Sequence, residues 1–259
     1  YICNKTNNMI NRAIENSLKT DFGRKKVIVI LGPRQVGKTT LLEALGTSDK
    51  KCLMLNCDDI DDAMLIENKT STELKTLISS YDLVCIDEAQ RVRNIGMTLK
   101  KIGDLKLDTQ VIVTGSSSFD LSNDINEPAT GRLLEYQFFP LSMSELAANS
   151  SAREQQRLLG NRLVYGLYPE VVTLPSDAKR TLTTLVNNYL YKDILSYKGI
   201  KKPELLQKLV RALALQLGSE VSYNELGNLL GVDKETVETY IGLLEKCFVV
   251  FRLPAYSSN

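Results

Sequence analysis

At 259 residues the chain exceeds the usual single domain, and its length fits one large or two moderate domains with ample core and no need of staples. Charged residues make up 24% and hydrophobic residues 43%, which excludes a disordered chain, and 32 Lys and Arg against 31 Asp and Glu exclude a uniformly basic coat that binds nucleic acid by charge alone. The absence of histidine excludes His-based triads, His-ligated zinc and histidine general bases.

Five cysteines, Cys3, Cys52, Cys57, Cys85 and Cys247, are odd in number and form no Cys-x-x-Cys pair. Cys85 lies in an apolar run and reads as a small buried hydrophobe. No apolar stretch approaches membrane-spanning length, and the polar N-terminus lacks a signal-peptide core. The expectation is a soluble cytoplasmic protein with no membrane partner.

In chain order, Val27–Leu31 is a β-branched apolar run of the kind buried on both faces of a sheet. Cys52–Leu55, Leu83–Ile86 and Val111–Thr114 repeat that pattern. Helical stretches lie between them over 39–45, 71–80 and 95–105. Alternation of strand and helix predicts a parallel sheet covered by helices, to about residue 150. Beyond Leu146, residues 152–163 and 179–195 read as helices. From Pro203 the pattern is helix 204–217, helix 222–230, helix 233–246 and an apolar strand over Cys247–Leu253, which together predict a winged helix-turn-helix.

Gly32-Pro33-Arg34-Gln35-Val36-Gly37-Lys38-Thr39 fits the phosphate-binding pattern G-x-x-x-x-G-K-[ST] completely, after a buried strand and before a helix that continues with Thr40. Chance supplies that pattern roughly once per hundred chains of this length. The glycines let backbone N–H groups wrap phosphates at a helix N-terminus. Lys38 is placed to reach β and γ phosphates, and Thr39 to ligate Mg²⁺. Residues 24–42 carry five basic side chains and no acid.

Leu83–Ile86 ends in Asp87 and Glu88. Asp87 is the candidate for holding magnesium through water. Glu88 is the candidate base for an attacking water, which separates a hydrolase from a kinase. Ser116 and Ser117, at the tip of the next strand, read either as γ-phosphate sensors or as an ordinary serine helix cap. Arg132 precedes a β-like run over 133–139 and reads either as an arginine finger, in cis or from a neighbouring subunit, or as a surface arginine.

Three blocks in order, Gly-Pro-Arg-Gln-Val-Gly-Lys-Thr-Thr-Leu-Leu (32–42), Ile-Asp-Glu-Ala-Gln-Arg (86–91) and Thr-Gly-Ser-Ser-Ser (114–118), carry a resemblance. With Gly131-Arg132, Pro140-Leu-Ser and Gly166-Leu-Tyr-Pro-Glu, they resemble a bacterial and archaeal AAA-type ATPase family over nearly the whole chain. The resemblance implies a P-loop core, a winged helix and a last domain of unknown, nuclease-like character beyond Asn259. It implies ATP and Mg²⁺ as cofactors, Walker A at 32–39 and Walker B at Asp87 and Glu88. It also implies a sensor at Ser116 or Ser117, with Arg132 sensing or completing the γ-phosphate site. Gly-x-x-Pro at Pro169 resembles the Gly-x-Pro of signalling ATPases, whose proline touches the base side of the nucleotide, with one extra residue in the spacing.

The candidate recognition helix at 233–246 is net acidic, which opposes groove reading. It reads better as a lid or spacer. Lys192, Lys198, Lys201, Lys202, Lys208 and Arg211 form either a phosphate-facing strip or a solvated face. The acidic run Asp58, Asp59, Asp61, Asp62 and Glu67 reads as a solvated loop, since it lacks the pattern of a calcium loop. The chain is therefore expected to hold an ATPase core at 9–150, a helical lid or linker at 151–202 and a winged helix at 203–256. Three readings follow: an ATPase coupled to a protein effector, a slow oligomerising nucleotide switch, or a DNA-remodelling motor.

Overall fold

The computed structural model describes residues 10–47, 50–116, 131–187 and 203–254. Two compact units divide the chain, Tyr1–Thr183 and Thr184–Asn259.

The first unit is built on a five-stranded sheet: β1 (Val27–Leu31), β2 (Cys52–Asn56), β3 (Leu83–Asp87), β4 (Gln110–Gly115) and β5 (Leu133–Gln137), in the order β2-β3-β4-β1-β5. Every pairing is parallel, with Ile28 opposite Ile112, Ile28 opposite Leu134, Leu53 opposite Val84 and Val84 opposite Val111. The three inner strands β1, β3 and β4 are buried at every position, which is why their sequences are unbroken apolar runs. The edge strands β2 and β5 alternate partly exposed residues, as one-sided cover requires.

Helices α1 (Ile14–Asp21), α2 (Lys38–Gly46), α3 (Ile60–Ile66), α4 (Ser71–Ile78), α5 (Ile95–Asp104), α6 (Met143–Ala148), α7 (Ala152–Tyr165) and α8 (Pro169–Thr173) belong to this unit, and α9 (Ala178–Leu185) runs past its last residue, Thr183. Leu18 from α1, Leu41, Leu42 and Leu45 from α2, and Phe138 beyond β5 close over Ile28, Ile30, Cys85 and Ile112. Each such aliphatic side chain contributes about 1.5–3 kcal/mol relative to exposure. Cys85 is buried as its apolar context requires.

The acidic run after β2 is not a loop. Asp59 caps α3, accepting a hydrogen bond from the Asp61 N–H at 3.0 Å, and Asp61 and Asp62 occupy the first turn. Carboxylates are favoured there by the positive end of the helix, so the charge run is solvated as expected but forms a helix start rather than a loop. Among the described residues no cluster of three or more acidic or cysteine side chains is arranged to hold a metal ion.

The second unit contains α10 (Pro203–Ala214), α11 (Tyr223–Leu230) and α12 (Lys234–Lys246). Ser222 and Asp233 cap the last two helices, and Gly231 ends α11 in the left-handed conformation at φ 69°. The strand expected over Cys247–Leu253 does not form: its residues are turn and irregular backbone. Phe248 reverses the chain at φ 60°, and Arg252 returns to Glu245, donating from its backbone N–H at 3.1 Å and from Nε at 2.8 Å. A strand also needs a partner, and no other strand lies among the described residues of this unit. Lys208 and Arg211 stand exposed on α10, whereas Lys192, Lys198, Lys201 and Lys202 lie outside the described residues.

Candidate functional site

Parallel strands bring their C-terminal ends to one edge, the usual place for a ligand in an α/β sheet. Here β4 lies between β1 and β3, so the loop after β1, the tip of β4 and the carboxylates ending β3 converge. Gly32 follows β1 and donates its N–H to Gly115 O at 3.2 Å. A Cβ on Gly32 would stand 2.0 Å from Phe138 O, so only glycine fits between the two backbones. The loop then turns through left-handed conformations at Gln35 (φ 62°) and Gly37 (φ 97°) into α2. Lys38 is 4% exposed, and its Nζ donates to Gly32 O and Pro33 O, both at 2.9 Å. Pro33 and Val36 are buried, Arg34 is half-buried, and Thr39 and Thr40 open α2 on its exposed side.

The Thr39 hydroxyl donates to Asp87 Oδ2 at 2.6 Å, which ties the loop to the end of β3. The buried Thr114 hydroxyl donates to Asp87 Oδ1 and accepts the Glu88 N–H at 3.2 Å. Glu88 itself is left-handed, at φ 52°, a conformation rarely held by a residue with a side chain. Gln90, in the short 3₁₀ turn Ala89–Arg91, uses one amide nitrogen twice. Its Nε2 donates to Glu88 Oε2 and to Ser116 Oγ, the latter at 3.0 Å. Its Oε1 is buried without a protein partner. Ser116 is therefore joined to Glu88 through Gln90; Ser117 lies outside the described residues.

Carboxylates crowd this end of the sheet. Cys57 donates its N–H to Asp87 O at 3.0 Å. Burial first, then the charges of Asp62, Asp87, Asp58 and Glu88, push its thiol up to about 12. Cys57 stays protonated at neutral pH and is no nucleophile.

A residue with no motif of its own braces the loop from outside. Arg12 donates from Nη1 to Val36 O at 2.8 Å, from Nη2 to Phe139 O at 2.6 Å, and from Nε to Glu145 Oε1 at 3.0 Å. Its guanidinium carbon lies 3.9 Å from the centre of the Phe138 ring. Glu145 completes a capping box with Ser142 and also accepts the Ala13 N–H at 2.8 Å. Burial alone would raise its pKa, but the N–H groups of Ser142 and Ala13 and the Arg12 guanidinium hold it below the ordinary value.

Arg132 does not reach this site within its own chain. It precedes β5, and its carbonyl accepts the N–H of Val27 at the start of β1. The loop begins one strand length away, about 16 Å along β1. The Arg132 side chain instead lies on α5, against Gly103, and pairs with Asp104. A cis arginine finger is thereby overturned. Pro169 is the first residue of α8, and its neighbour Tyr168 packs on the cluster that contains Val36 of the loop.

Thr114 and Gln90 stand in the blocks that drew attention to their neighbours, and hydroxyl and amide chemistry beside two carboxylates was the available signal. Arg12 and Glu145 had none, because their link spans 133 residues.

Residues 24–147 match the family described as AAA domain, and residues 156–259 match a domain of unknown function (DUF8612). That second match lies on the stretch read above as lid and winged helix. An uncharacterized protein of Haemophilus influenzae is 25% identical over 258 residues, covering 92% of this chain and 63% of its own length. One of Mycobacterium tuberculosis is 26% identical over 245 residues, covering 93% and 53%. The chain thus spans 53–63% of the length of the curated relatives it matches. The Walker-type ATPase PABY2304 of Pyrococcus abyssi shares the fold with a TM-score of 0.55 at 16% identity, over 92% of this chain and 90% of its own. Residues 24–147 of this chain accordingly match the AAA domain and share the fold of a Walker-type ATPase, and residues 156–259 match a domain of unknown function.

Proposed function

We propose that the chain binds ATP with Mg²⁺ and hydrolyses its β–γ bond. The observation that carries this reading is the hydrogen bond from Thr39 to Asp87 at 2.6 Å, beside Lys38 and one residue from Glu88. It gathers an anion-binding loop, a pair of hard oxygen donors and a second carboxylate at one sheet edge. Thr39 and Asp87 suit Mg²⁺, which takes one carboxylate, a hydroxyl and substrate phosphates rather than an all-protein cage. When bound, the ion supplies charge neutralisation to the β and γ oxygens.

The residues of the chain account for the rest. Lys38 exchanges two neutral carbonyl acceptors for the β and γ phosphate oxygens, with the N–H groups of 32–39 around them. Glu88 takes a proton from the attacking water as its oxygen bonds to the γ phosphorus, and ADP leaves with the β–γ bridging oxygen. Ser116 donates to the transferred group from the tip of β4. Pro169 is proposed to flank the base.

Coupling of this cycle to a protein effector is the principal reading for the whole protein. The Gln90 bond to Glu88 favours the slow switch as second reading, since an amide that occupies the base holds turnover down. A DNA motor is disfavoured by Asp233, Glu235 and Glu238, all exposed along α12. No helix among the described residues is long and apolar enough to cross a membrane.

Calorimetric titration of wild type and Lys38→Ala with ATP tests the binding claim. The variant is expected to bind at least about a hundred-fold more weakly, the loss of a charge-assisted contact in a buried loop. Equal affinity would remove the loop as the nucleotide site.

A further inference from the structure

We propose that Arg12 is a positioning residue for nucleotide binding: by holding the Val36 carbonyl it fixes the direction of the Gly37 N–H that meets the phosphates. The inference deepens the nucleotide-binding reading above and rests on it.

The argument starts from one peptide unit. Val36 C=O and Gly37 N–H share a plane, and in a trans peptide they point in opposite directions. Val36 O faces Arg12 Nη1 at 2.8 Å. The Gly37 N–H is thereby directed away from the guanidinium, to the other side of the loop. Glycine at φ 97° has no side chain to enforce that orientation, and an unbraced Val36–Gly37 peptide could rotate. Among the described residues, an atom built in place of a Gly37 side chain would find Arg12 Nη1 at 3.9 Å as its neighbour within 4 Å, so this guanidinium packs against the turn.

Arg12 can serve as a brace because it is itself fixed. Its Nη2 donates to Phe139 O at 2.6 Å and approaches Pro140 O at 3.5 Å, its Nε meets Glu145, and its plane lies on Phe138. Phe138 in turn donates its N–H to Leu31 O at 2.6 Å, immediately before Gly32. Both ends of the loop are therefore referred to one rigid fork. A planar fork with five donors can do this, and a lysine ammonium cannot reach the same acceptors in the same geometry. The charge of Arg12 is matched by Glu145 at 3.0 Å, so its contribution is orientation rather than long-range attraction of phosphate.

This predicts a signature that general destabilisation would not give. Loss of the brace should weaken nucleotides whose phosphates reach into the loop and spare those whose phosphate does not. The experiment measures ADP and AMP affinity by competition with a fluorescent ADP analogue for wild type, Arg12→Met, Arg12→Lys and Lys38→Ala. Arg12→Met keeps the stem on Phe138 and removes the donors. Arg12→Lys keeps the cation beside Glu145 and carries the test should the first variant fail to fold. The expected result is about a ten-fold loss of ADP affinity in both Arg12 variants, with AMP affinity changed less than about two-fold. An equal loss for ADP and AMP, or no loss for ADP, would overturn the brace. If Lys38→Ala also bound ADP as wild type does, the nucleotide reading itself would fall. A weakened Lys38→Ala beside unaltered Arg12 variants would overturn the Arg12 proposal alone.

Discussion

The chemistry of this molecule is set by close polar contacts between small numbers of atoms. Gly32 leaves no space for a side chain, with Phe138 O at 2.0 Å from where a Cβ would stand, so the loop and the chain leaving β5 meet backbone to backbone. Gln90 spends one nitrogen on Glu88 and Ser116, and its buried oxygen meets no protein donor. Glu145 gives a prediction about acid. Its carboxyl titrates below its ordinary value of 4.5, so between the two values the unfolded chain binds more protons than the folded one. The stabilisation is complete above the unfolded value and is lost as pH falls through the folded one. Glu145→Gln should therefore lower stability at neutral pH and flatten the fall in stability as pH drops below the ordinary value of 4.5. Urea unfolding at a series of pH values checks this, and parallel curves for the two proteins would contradict it.

At the scale of elements, the legible parts were those with a short period. Apolar runs announced β1 to β4 and a β-like run announced β5; the inner strands β1, β3 and β4 are buried on both faces and need no alternation. The phosphate loop was legible because its glycine positions and lysine spacing are local. The acidic start of α3 was misread because carboxylates mark both solvated loops and helix N-termini, and only the cap from Asp59 to Asp61 decides between them. The strand expected at 247–253 failed for a different reason. Its residues have strand propensity, but Phe248 turns the chain and Arg252 pairs with Glu245 seven residues back, a reversal that propensity does not encode. Arg12 illustrates the same limit in the site itself. Neither it nor Glu145 belongs to a pattern, and the fold alone brings them together.

At the scale of the whole molecule, strand order explains which residues can cooperate. Placing β4 between β1 and β3 puts Thr114 and Ser116 between the loop and the two carboxylates, and it sends Arg132, at the opposite end of β5, away from them. An arginine finger, if this residue supplies one, must come from a neighbouring subunit. Mixing Arg132→Ala with Lys38→Ala protein tests that version of the account. Turnover restored in the mixed assemblies is the expected outcome for action in trans, and no rescue despite proven co-assembly would remove Arg132 from the chemistry.

The measurement that bears most directly on the central claim is steady-state ATP turnover of the wild type and Glu88→Gln, with ATP binding determined on the same preparations. The account predicts that the variant binds ATP with affinity within about two-fold of wild type, and that its turnover falls at least a hundred-fold, within the range lost with a general base. Undiminished turnover in Glu88→Gln would contradict it, and the water-activating role would have to be sought elsewhere in the site.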